Sequence, residues 1–211
     1  MVNGIVFVAQ GGNACGQAVT AIEHVQRVCR LPVACVGERP LGVRDVKHIY
    51  CEYKRDDAGA RWAKVNLYDL TPFDHTLYMD ADTRVMDGSI MVGFEMLADG
   101  WELVLTHSER QGHDWLWKVS ESERCVTEAM LGEKLVSLQA GVMWFRKCAM
   151  VEQLFGEWRE EWGIYREQDQ AALLRALFKT PVRAYLLGRP FNGGSVVKHL
   201  FGRARGAGSR K

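Results

Sequence analysis

Two aspartates separated by one alanine follow a run of apolar and aromatic residues in the stretch LYMDADTRV, residues 77–85. Residues i and i+2 of an extended chain point the same way, so Asp80 and Asp82 can direct both carboxylates at one point. Two like charges held close together repel each other unless a cation compensates them. Mg²⁺ and Mn²⁺ accept such oxygen ligands and also bind diphosphates. The pattern therefore predicts a metal site, with an Asx-turn or a helix-capping pair as the structural alternative.

Short apolar runs alternate with amphipathic helical patterns along the chain. Strands are predicted at 4–10, 32–37, 46–51, 75–79, 101–106 and 137–146, helices at 17–28, 60–70, 148–162 and 167–179, and a last regular segment at 182–187. This alternation is typical of an α/β domain with a mostly parallel sheet and helices on both faces. In such sheets ligands bind at the carboxyl ends of the strands, which is the predicted location of Asp80 and Asp82.

The length and composition indicate one globular domain. The chain has 211 residues, of which 47% are hydrophobic, enough for a sizeable core. Residues 1–205 are predicted to form this domain, with an irregular acceptor or lid segment at 107–136 and a flexible basic tail at 206–211. No apolar run approaches the ~20 residues that span a bilayer, and the N-terminus lacks the basic region of a signal peptide. Six scattered cysteines without a C-x-x-C pair indicate reduced thiols, so we expect a cytoplasmic protein without a stable membrane anchor.

The net charge is only +1, but it is unevenly distributed. No acidic residue occurs from Gln170 to the C-terminus, whereas basic residues are frequent there. These are Arg175, Lys179, Arg183, Arg189, Lys198, Arg203, Arg205, Arg210 and Lys211. The asymmetry predicts that the C-terminal end faces an anion, or else that it is a solvated tail balanced by carboxylates elsewhere in the fold.

Other functional classes share parts of these patterns. A phosphatase of the haloacid dehalogenase kind has the motif D-x-D-x-T on its first strand, but here Thr83 comes one place early and the pair follows the fourth predicted strand. The turn GGNACG, residues 11–16, follows the first strand as a dinucleotide loop would, yet it matches neither G-x-G-x-x-G nor the P-loop. A non-catalytic nucleotide-sugar-binding module with a degenerate transferase fold is a further alternative.

Four segments resemble, in the same order, those of glycosyltransferase family eight, which includes glycogenin and bacterial lipopolysaccharide galactosyltransferases. They are residues 60–85 around the D-x-D motif, LQAGVMWFRK at 138–147, EQDQAALLRAL at 167–177, and LLGRPFN followed by VVKHLFGRAR at 186–205. The resemblance implies a GT-A fold and transfer of a hexose from a nucleotide diphosphate sugar, usually UDP-glucose or UDP-galactose, with retention of configuration. Gln139, Phe191 and the absence of a final K-P-W depart from the family pattern.

The resemblance also implies roles for individual residues. Asp80, Asp82 and His199 would bind Mn²⁺ or Mg²⁺. Asp169 and Gln170 would lie at the anomeric carbon as the catalytic pair, although such a pair can also cap a helix N-terminus. The residues implied to bind the nucleotide sugar are Ala9, Gln10, Arg61, Lys64, Asp80, Ala81, Gln139, Ala140, Gly141 and Arg203, with ordinary surface charge as the alternative for Arg61 and Lys64. The acceptor is left open between a glycan, a protein, a small molecule and modified DNA.

Overall fold

The computed structural model describes residues 1–52, 60–107, 116, 119–132 and 138–200. The strands are β1 (Asn3–Val8), β2 (Val33–Gly37), β3 (Val46–Tyr50), β4 (His75–Met79), β5 (Thr83–Val85), β6 (Leu103–His107), β7 (Leu138–Arg146), β8 (Ala184–Leu187) and β9 (Val197–His199). The helices are α1 (Gly12–Val28), α2 (Ala60–Val65), α3 (Leu67–Leu70), α4 (Val92–Ala98), α5 (Glu121–Leu131), α6 (Ala149–Tyr165) and α7 (Asp169–Lys179), with 3-10 turns at Gly88–Met91 and Arg189–Phe191.

Seven strands form a central sheet in the order β3-β2-β1-β4-β7-β6-β8. Strands β1, β2, β3 and β4 are parallel to one another, and β8 is parallel to β6. Strand β7 runs antiparallel to both of its neighbours, β4 and β6. The mostly parallel sheet predicted from the sequence is therefore confirmed. The reversed direction of β7 has no sequence signal, because a strand buried on both faces has the same apolar pattern in either direction.

Helices cover both faces of this sheet, as the alternation along β1 illustrates. Ile5 and Phe7 join a core that includes residues of α1 and α4, whereas Val6 and Val8 join a second core with residues of α6 and α7. All four side chains are at most 3% exposed, and full burial of such a side chain contributes roughly 1.5–3 kcal/mol. None of the helices in the described ranges has the length and apolarity needed to cross a bilayer.

The helix predicted at 60–70 is interrupted in the structure. It consists of α2 and α3, which are separated at Asn66. The Asn66 side chain donates from Nδ2 to the backbone oxygen of Trp62 at 2.7 Å and accepts from Arg159 through Oδ1 at 3.2 Å. Asparagine competes in this way with the backbone hydrogen bonds of a helix, and the interruption lies at this residue.

The segment at 107–136 was expected to be irregular, but it contains helix α5. This helix begins at a capping motif in which Ser120 Oγ accepts from the backbone nitrogen of Glu123 at 3.4 Å. It ends before Gly132, whose φ of 87° suits a residue without Cβ. Most of the remaining segment lies outside the described residues, as does the predicted tail at 206–211.

A small antiparallel sheet of β5 and β9 lies beside the central sheet. It pairs Thr83 with His199 and Val85 with Val197. The backbone nitrogen of Leu200 also donates to the oxygen of Asp82 at 3.0 Å. This pairing, which the sequence patterns did not predict, brings the C-terminal part of the described chain to the D-x-D turn.

Candidate functional site

A tight turn between β4 and β5 holds the two aspartates. The backbone nitrogen of Asp80 donates to the oxygen of Gly141 at 2.8 Å, and Thr83 donates to the Asp80 oxygen from both its nitrogen and its hydroxyl, at 3.1 and 2.7 Å. All residues of β4 are buried. Asp80 and Asp82 therefore emerge at the carboxyl end of a central strand, where the sequence placed them.

Strand β9 brings His199 against this pair. His199 Nε2 lies 3.1 Å from Asp82 Oδ1 and 3.9 Å from Asp80 Oδ2. One donor atom from each of the three residues lies within 4.8 Å of the others. Two carboxylates and one imidazole are a donor set that suits a divalent cation such as Mn²⁺. The structure thus gathers all three residues implied as metal ligands, although His199 is 117 positions from Asp82.

Gly141 leaves room for this cluster. A Cβ at position 141 would lie 2.5 Å from Asp80 Oδ2 and 2.8 Å from His199 Cε1. Both distances are shorter than any ordinary van der Waals contact. The two side chains cannot easily retreat, because Tyr78 holds Asp80 and Asn192 holds His199 by hydrogen bonds of 2.6 and 2.7 Å. Glycine is therefore the residue that lets the backbone of β7 approach the cluster closely.

Replacement of Gly141 by alanine should weaken Mn²⁺ binding at least about tenfold, because the new methyl group displaces two of the three side chains implied as metal ligands. Calorimetric titration with Mn²⁺ measures this directly. Gly156→Ala is the matched control, since a Cβ there would meet nothing within 4 Å, and a helical alanine stabilises by up to about 1 kcal/mol. Equal Mn²⁺ affinity in the Gly141→Ala variant and the wild type would contradict the assignment of the cluster as a metal site.

Two buried side chains donate hydrogen bonds to Oδ1 of Asp80, the carboxylate oxygen that does not face His199. Tyr78 donates its hydroxyl to Asp80 Oδ1 at 2.6 Å, and Lys64 donates Nζ to the same oxygen at 3.3 Å. Burial raises the pKa of Tyr78 well above its usual value, and the neighbouring Asp80 raises it further, so the phenol stays protonated and donates. This arrangement directs Oδ2 of Asp80 toward His199.

Lys64 also connects the cluster to the start of α7. Its Nζ lies 2.7 Å from Asp169 Oδ2, and Arg61 Nε lies 3.7 Å from Asp169 Oδ1. Burial lowers the pKa of Lys64, but the charges of Asp169 and Asp80 outweigh it and the net shift is upward. Burial likewise raises the pKa of Asp169, but Lys64 and Arg61 lower it overall. Lys64 and Asp169 therefore form a charged, buried ion pair. Lys64 is not the ordinary surface charge that the sequence left as an alternative.

A pair of carboxamides lies next to Asp169. Gln170 donates from Nε2 to the backbone oxygen of Leu138 at 3.1 Å and to Gln139 Oε1 at 2.7 Å. A carbonyl can only accept, so Nε2 of Gln170 is the atom that faces β7. Asp169 occupies the first turn of α7, where negative charge is favourable. The structure therefore brings Asp169, Gln170 and Gln139 together.

A cavity of about 380 Å³ extends from the end of β1 to the D-x-D turn. The residues around it are Val8, Gln10, Gly11, Gly12, Asn13, Ala14, Gln17, Ala60, Tyr78, Asp80, Ala81 and Asp82. Gln10 and Ala81, which the resemblance implied to bind the nucleotide sugar, thus line this cavity. Ala9 is buried just after the end of β1, and Ala140 is buried near the start of β7. Arg203 lies outside the described residues.

Several residues of the site had no assigned role from the sequence. Tyr78 precedes the motif by two positions, and Thr106 and Asn192 form a buried hydrogen-bonded pair behind His199, with 2.9 Å between Asn192 Nδ2 and Thr106 Oγ1. Thr106 lies near the carboxyl end of β6, which is the kind of position that could have indicated it. Asn192 belongs to the segment LLGRPFN that carried the resemblance.

Solved structures with a similar fold include two sugar transferases and one synthase. The galactosyltransferase LgtC, in complex with donor and acceptor sugar analogs, aligns over 88% of this chain and 73% of its own, with 17% identity and a TM-score of 0.57. Mouse xyloside xylosyltransferase 1 aligns over 89% and 85%, with 12% identity and a TM-score of 0.55. A 4-diphosphocytidyl-2C-methyl-D-erythritol synthase from Anaerococcus prevotii aligns over 96% and 94%, with 11% identity and a TM-score of 0.56.

The chain therefore has the GT-A fold of nucleotide-diphospho-sugar transferases, as the sequence resemblance implied. No protein-family model and no curated protein sequence matches it. At these identities the similarity defines the fold, and the activity has to be argued from the site.

Proposed function

We propose that this protein is a metal-dependent glycosyltransferase of the family-eight type, which moves a hexose from a UDP-sugar to an acceptor with retention of configuration. The observation that carries the proposal is the cluster of Asp80, Asp82 and His199 at the edge of a cavity at the end of β1. A cavity of this size accepts a nucleotide, and the cluster lies where its diphosphate would end. The same fold in sugar transferases supports this assignment.

The nucleotide part of the donor would occupy the cavity. Gly11 has a φ of 82° and lies just before α1, so the backbone at 11–12 can approach a ligand closely. Gln10 and Ala81 would contact the nucleotide from the two ends of the cavity. Mn²⁺ or Mg²⁺, held by the cluster, would neutralise charge on the leaving diphosphate. Arg203 is proposed to add positive charge at the phosphates.

The sugar would lie toward α7. Asp169, kept ionised by Lys64 and Arg61, is suited to accept hydrogen bonds from donor hydroxyls. Because both described contacts of the Gln170 carboxamide use Nε2, its Oε1 is the atom proposed to face the anomeric carbon. Because Lys64 and Arg61 lower the pKa of Asp169, its carboxylate is a weak base, so we propose that the leaving phosphate takes the proton of the acceptor hydroxyl. An acceptor that gives its proton to the leaving phosphate attacks from the same face of the sugar, so the configuration at the anomeric carbon is retained.

The acceptor class follows least directly from the site. Arg175 and Lys179 form ion pairs with glutamates of α5 and α6, so it is the basic residues from Arg183 onward that favour contact with an anionic acceptor or with the donor phosphates. A phosphate-bearing polymer, including modified DNA, fits that charge, while a glycan, a protein or a small molecule fits the transferase fold equally well.

Thermal unfolding with nucleotides tests the proposal. Wild-type protein is heated with UDP, GDP, CDP or ADP, each with and without Mn²⁺. A ligand at ~100 times its dissociation constant stabilises the native state by about 2.7 kcal/mol. We expect the largest shift with UDP and Mn²⁺ together, and its loss in Asp82→Ala. Asp99→Ala, an exposed aspartate at the end of α4, should retain the shift.

The outcomes separate the alternatives. Release of UDP from UDP-glucose or UDP-galactose, with the hexose passed to an added acceptor or to water, would exclude the non-catalytic binding module, whereas nucleotide binding without UDP release under either condition would favour it. If no nucleotide shifts the melting temperature in the presence of Mn²⁺, the proposed function is wrong.

Nucleotidyl transfer is a second candidate, favoured by one observation. The synthase from Anaerococcus prevotii covers nearly all of this chain and is itself nearly fully covered. Release of pyrophosphate from CTP or UTP that depends on an added sugar or polyol phosphate as acceptor of the nucleotidyl group, without UDP release from UDP-sugars, would favour this reaction over glycosyl transfer.

A further inference from the structure

A chain of buried hydrogen bonds runs from His199 to the backbone of β7. His199 Nδ1 lies 2.7 Å from Asn192 Oδ1, and Asn192 Nδ2 donates to Thr106 Oγ1 at 2.9 Å. The Thr106 hydroxyl donates to the backbone oxygen of Val142 at 3.2 Å. The backbone oxygen of Gln139 is a second, more distant acceptor at 3.5 Å from the same hydroxyl. Thr106 is fully buried, and Asn192 and His199 are 3% and 9% exposed.

The backbone end of this chain determines the direction of every hydrogen bond in it. The carbonyls of Val142 and Gln139 can only accept, so the Thr106 hydroxyl donates its proton to them. The hydroxyl oxygen then accepts from the Asn192 amide, which orients the Asn192 oxygen toward His199. An oxygen acceptor at Nδ1 requires a proton on Nδ1. In the neutral ring, Nε2 therefore carries the lone pair.

This protonation state is the opposite of what the cluster alone would select. His199 Nε2 faces Asp82 Oδ1 at 3.1 Å and Asp80 Oδ2 at 3.9 Å. Two carboxylates would draw a proton onto Nε2, and an Nε2–H group cannot bind a metal ion. A hydrogen bond from the other ring nitrogen is the usual means by which a protein sets which nitrogen of a histidine is free to act as a ligand.

We propose that Asn192 and Thr106 are positioning residues that fix His199 as the Nδ1–H tautomer, so that Nε2 is the ligand atom for a divalent cation. The proposal rests on the metal-dependent function proposed above and extends it to two residues that do not touch the metal. It explains why a side-chain amide and a hydroxyl are buried behind the histidine, where apolar side chains would pack without polar groups to satisfy.

Titration with Mn²⁺ alone measures the contribution of these residues. Thr106→Val removes the hydroxyl that orients Asn192, and we expect Mn²⁺ affinity to fall about 10- to 100-fold, as is typical for residues that support a metal ligand. Thr76→Val is the matched control, because Thr76 is a fully buried threonine bonded through its hydroxyl to Thr71. Thr76 lies at the opposite end of β4 from Asp80, so Mn²⁺ affinity should not change.

A rescue variant distinguishes orientation from a general loss of structure. Asn192→Asp places a carboxylate against His199 Nδ1, and a carboxylate accepts whichever way it is turned. Thr106→Val should therefore lower Mn²⁺ affinity less than threefold in the Asn192→Asp background. An equal loss in both backgrounds would overturn the proposal, provided that thermal unfolding shows each variant to be folded.

The tautomer can also be observed in the wild-type protein without metal. Long-range ¹H–¹⁵N NMR spectra at alkaline pH, with the His199 signals assigned by their loss in His199→Ala, should show a proton on Nδ1 and none on Nε2. A proton on Nε2 would overturn the proposal whatever the protein binds. If the tautomer and the Mn²⁺ affinities are as expected but no nucleotide binds, the positioning role stands and the glycosyltransferase function fails.

Discussion

Replacement of Arg175 by methionine is expected to lower the free energy of unfolding by about 3–5 kcal/mol, the usual cost of removing one partner from a buried ion pair. Arg175 is fully buried on α7. Its guanidinium contacts Glu161 Oε2 on α6 at 2.6 Å, Glu123 Oε1 on α5 at 2.9 Å and Thr127 Oγ1 at 2.7 Å. Methionine would fill much of the volume, but it would remove the cation paired with the buried Glu123 carboxylate and leave Glu161 with Lys179 as its described cation. Urea unfolding measures the loss.

The size of that loss depends on the charges left behind, and a combined variant tests this. Arg175→Met together with Glu123→Gln and Glu161→Gln removes the buried charges and leaves the exposed Lys179 paired with Glu157, so it should recover most of the stability lost in the single variant. A single-variant loss below about 1 kcal/mol would mean that these ion pairs contribute little. A combined variant as unstable as the single one would mean that packing, not uncompensated charge, sets the cost.

The ion-pair cluster of Arg175, Glu123 and Glu161 links helices α7, α5 and α6. Burial raises the pKa of Glu123, whereas for Glu161 hydrogen bonds from Lys179 and Arg175 outweigh burial and lower the pKa. The indole of Trp158 on α6 also donates to the backbone oxygen of Asp169 at 2.8 Å. The position of Asp169 and Gln170 at the start of α7 is thus set from the far side of the helix as well as from the site.

Local patterns predicted the parts of the fold that depend on neighbouring residues. The apolar run before Asp80 indicated a buried strand, and the structure has β4 there. The same reasoning missed α5, even though Ser120 and Glu123 have the spacing of a capping box, because the surrounding segment is polar and aromatic. It also extended one helix through Asn66, whose side chain bonds to the backbone of Trp62.

The site itself depends on contacts between distant positions, which local patterns do not contain. The cluster of Asp80, Asp82 and His199 requires β9 to pair with β5, and three-residue strands have too short a pattern to predict. The family resemblance implied His199, Asp169 and Gln170 as site residues in one step. It could not supply Asn192, Thr106 or Tyr78, because what these residues do is visible only from the atoms they contact.

Replacement of Lys64 by methionine is expected to destabilise the metal-free protein by about 3 kcal/mol, and Mn²⁺ should restore part of that loss. Lys64 is 7% exposed and lies between Asp169 and Asp80, at 2.7 and 3.3 Å from their oxygens. Without it, Arg61, at 3.7 Å, is the cation that remains beside Asp169 among the described residues, and an uncompensated buried charge is costly. Chemical denaturation with and without Mn²⁺ measures both effects.

Mn²⁺ should stabilise the Lys64→Met variant more than the wild type, because an ion bound to Asp80 would no longer be repelled by the ammonium group 3.3 Å from the same carboxylate. Tyr78 still holds Asp80 Oδ1 at 2.6 Å, so the ligand keeps its orientation. Lys47→Met, an exposed change on β3, should alter stability by less than about 0.5 kcal/mol. If Mn²⁺ no longer stabilises the Lys64→Met variant, Lys64 instead organises the cluster. If the metal-free variant is as stable as the wild type, the buried Lys64–Asp169 pair is not a source of stability.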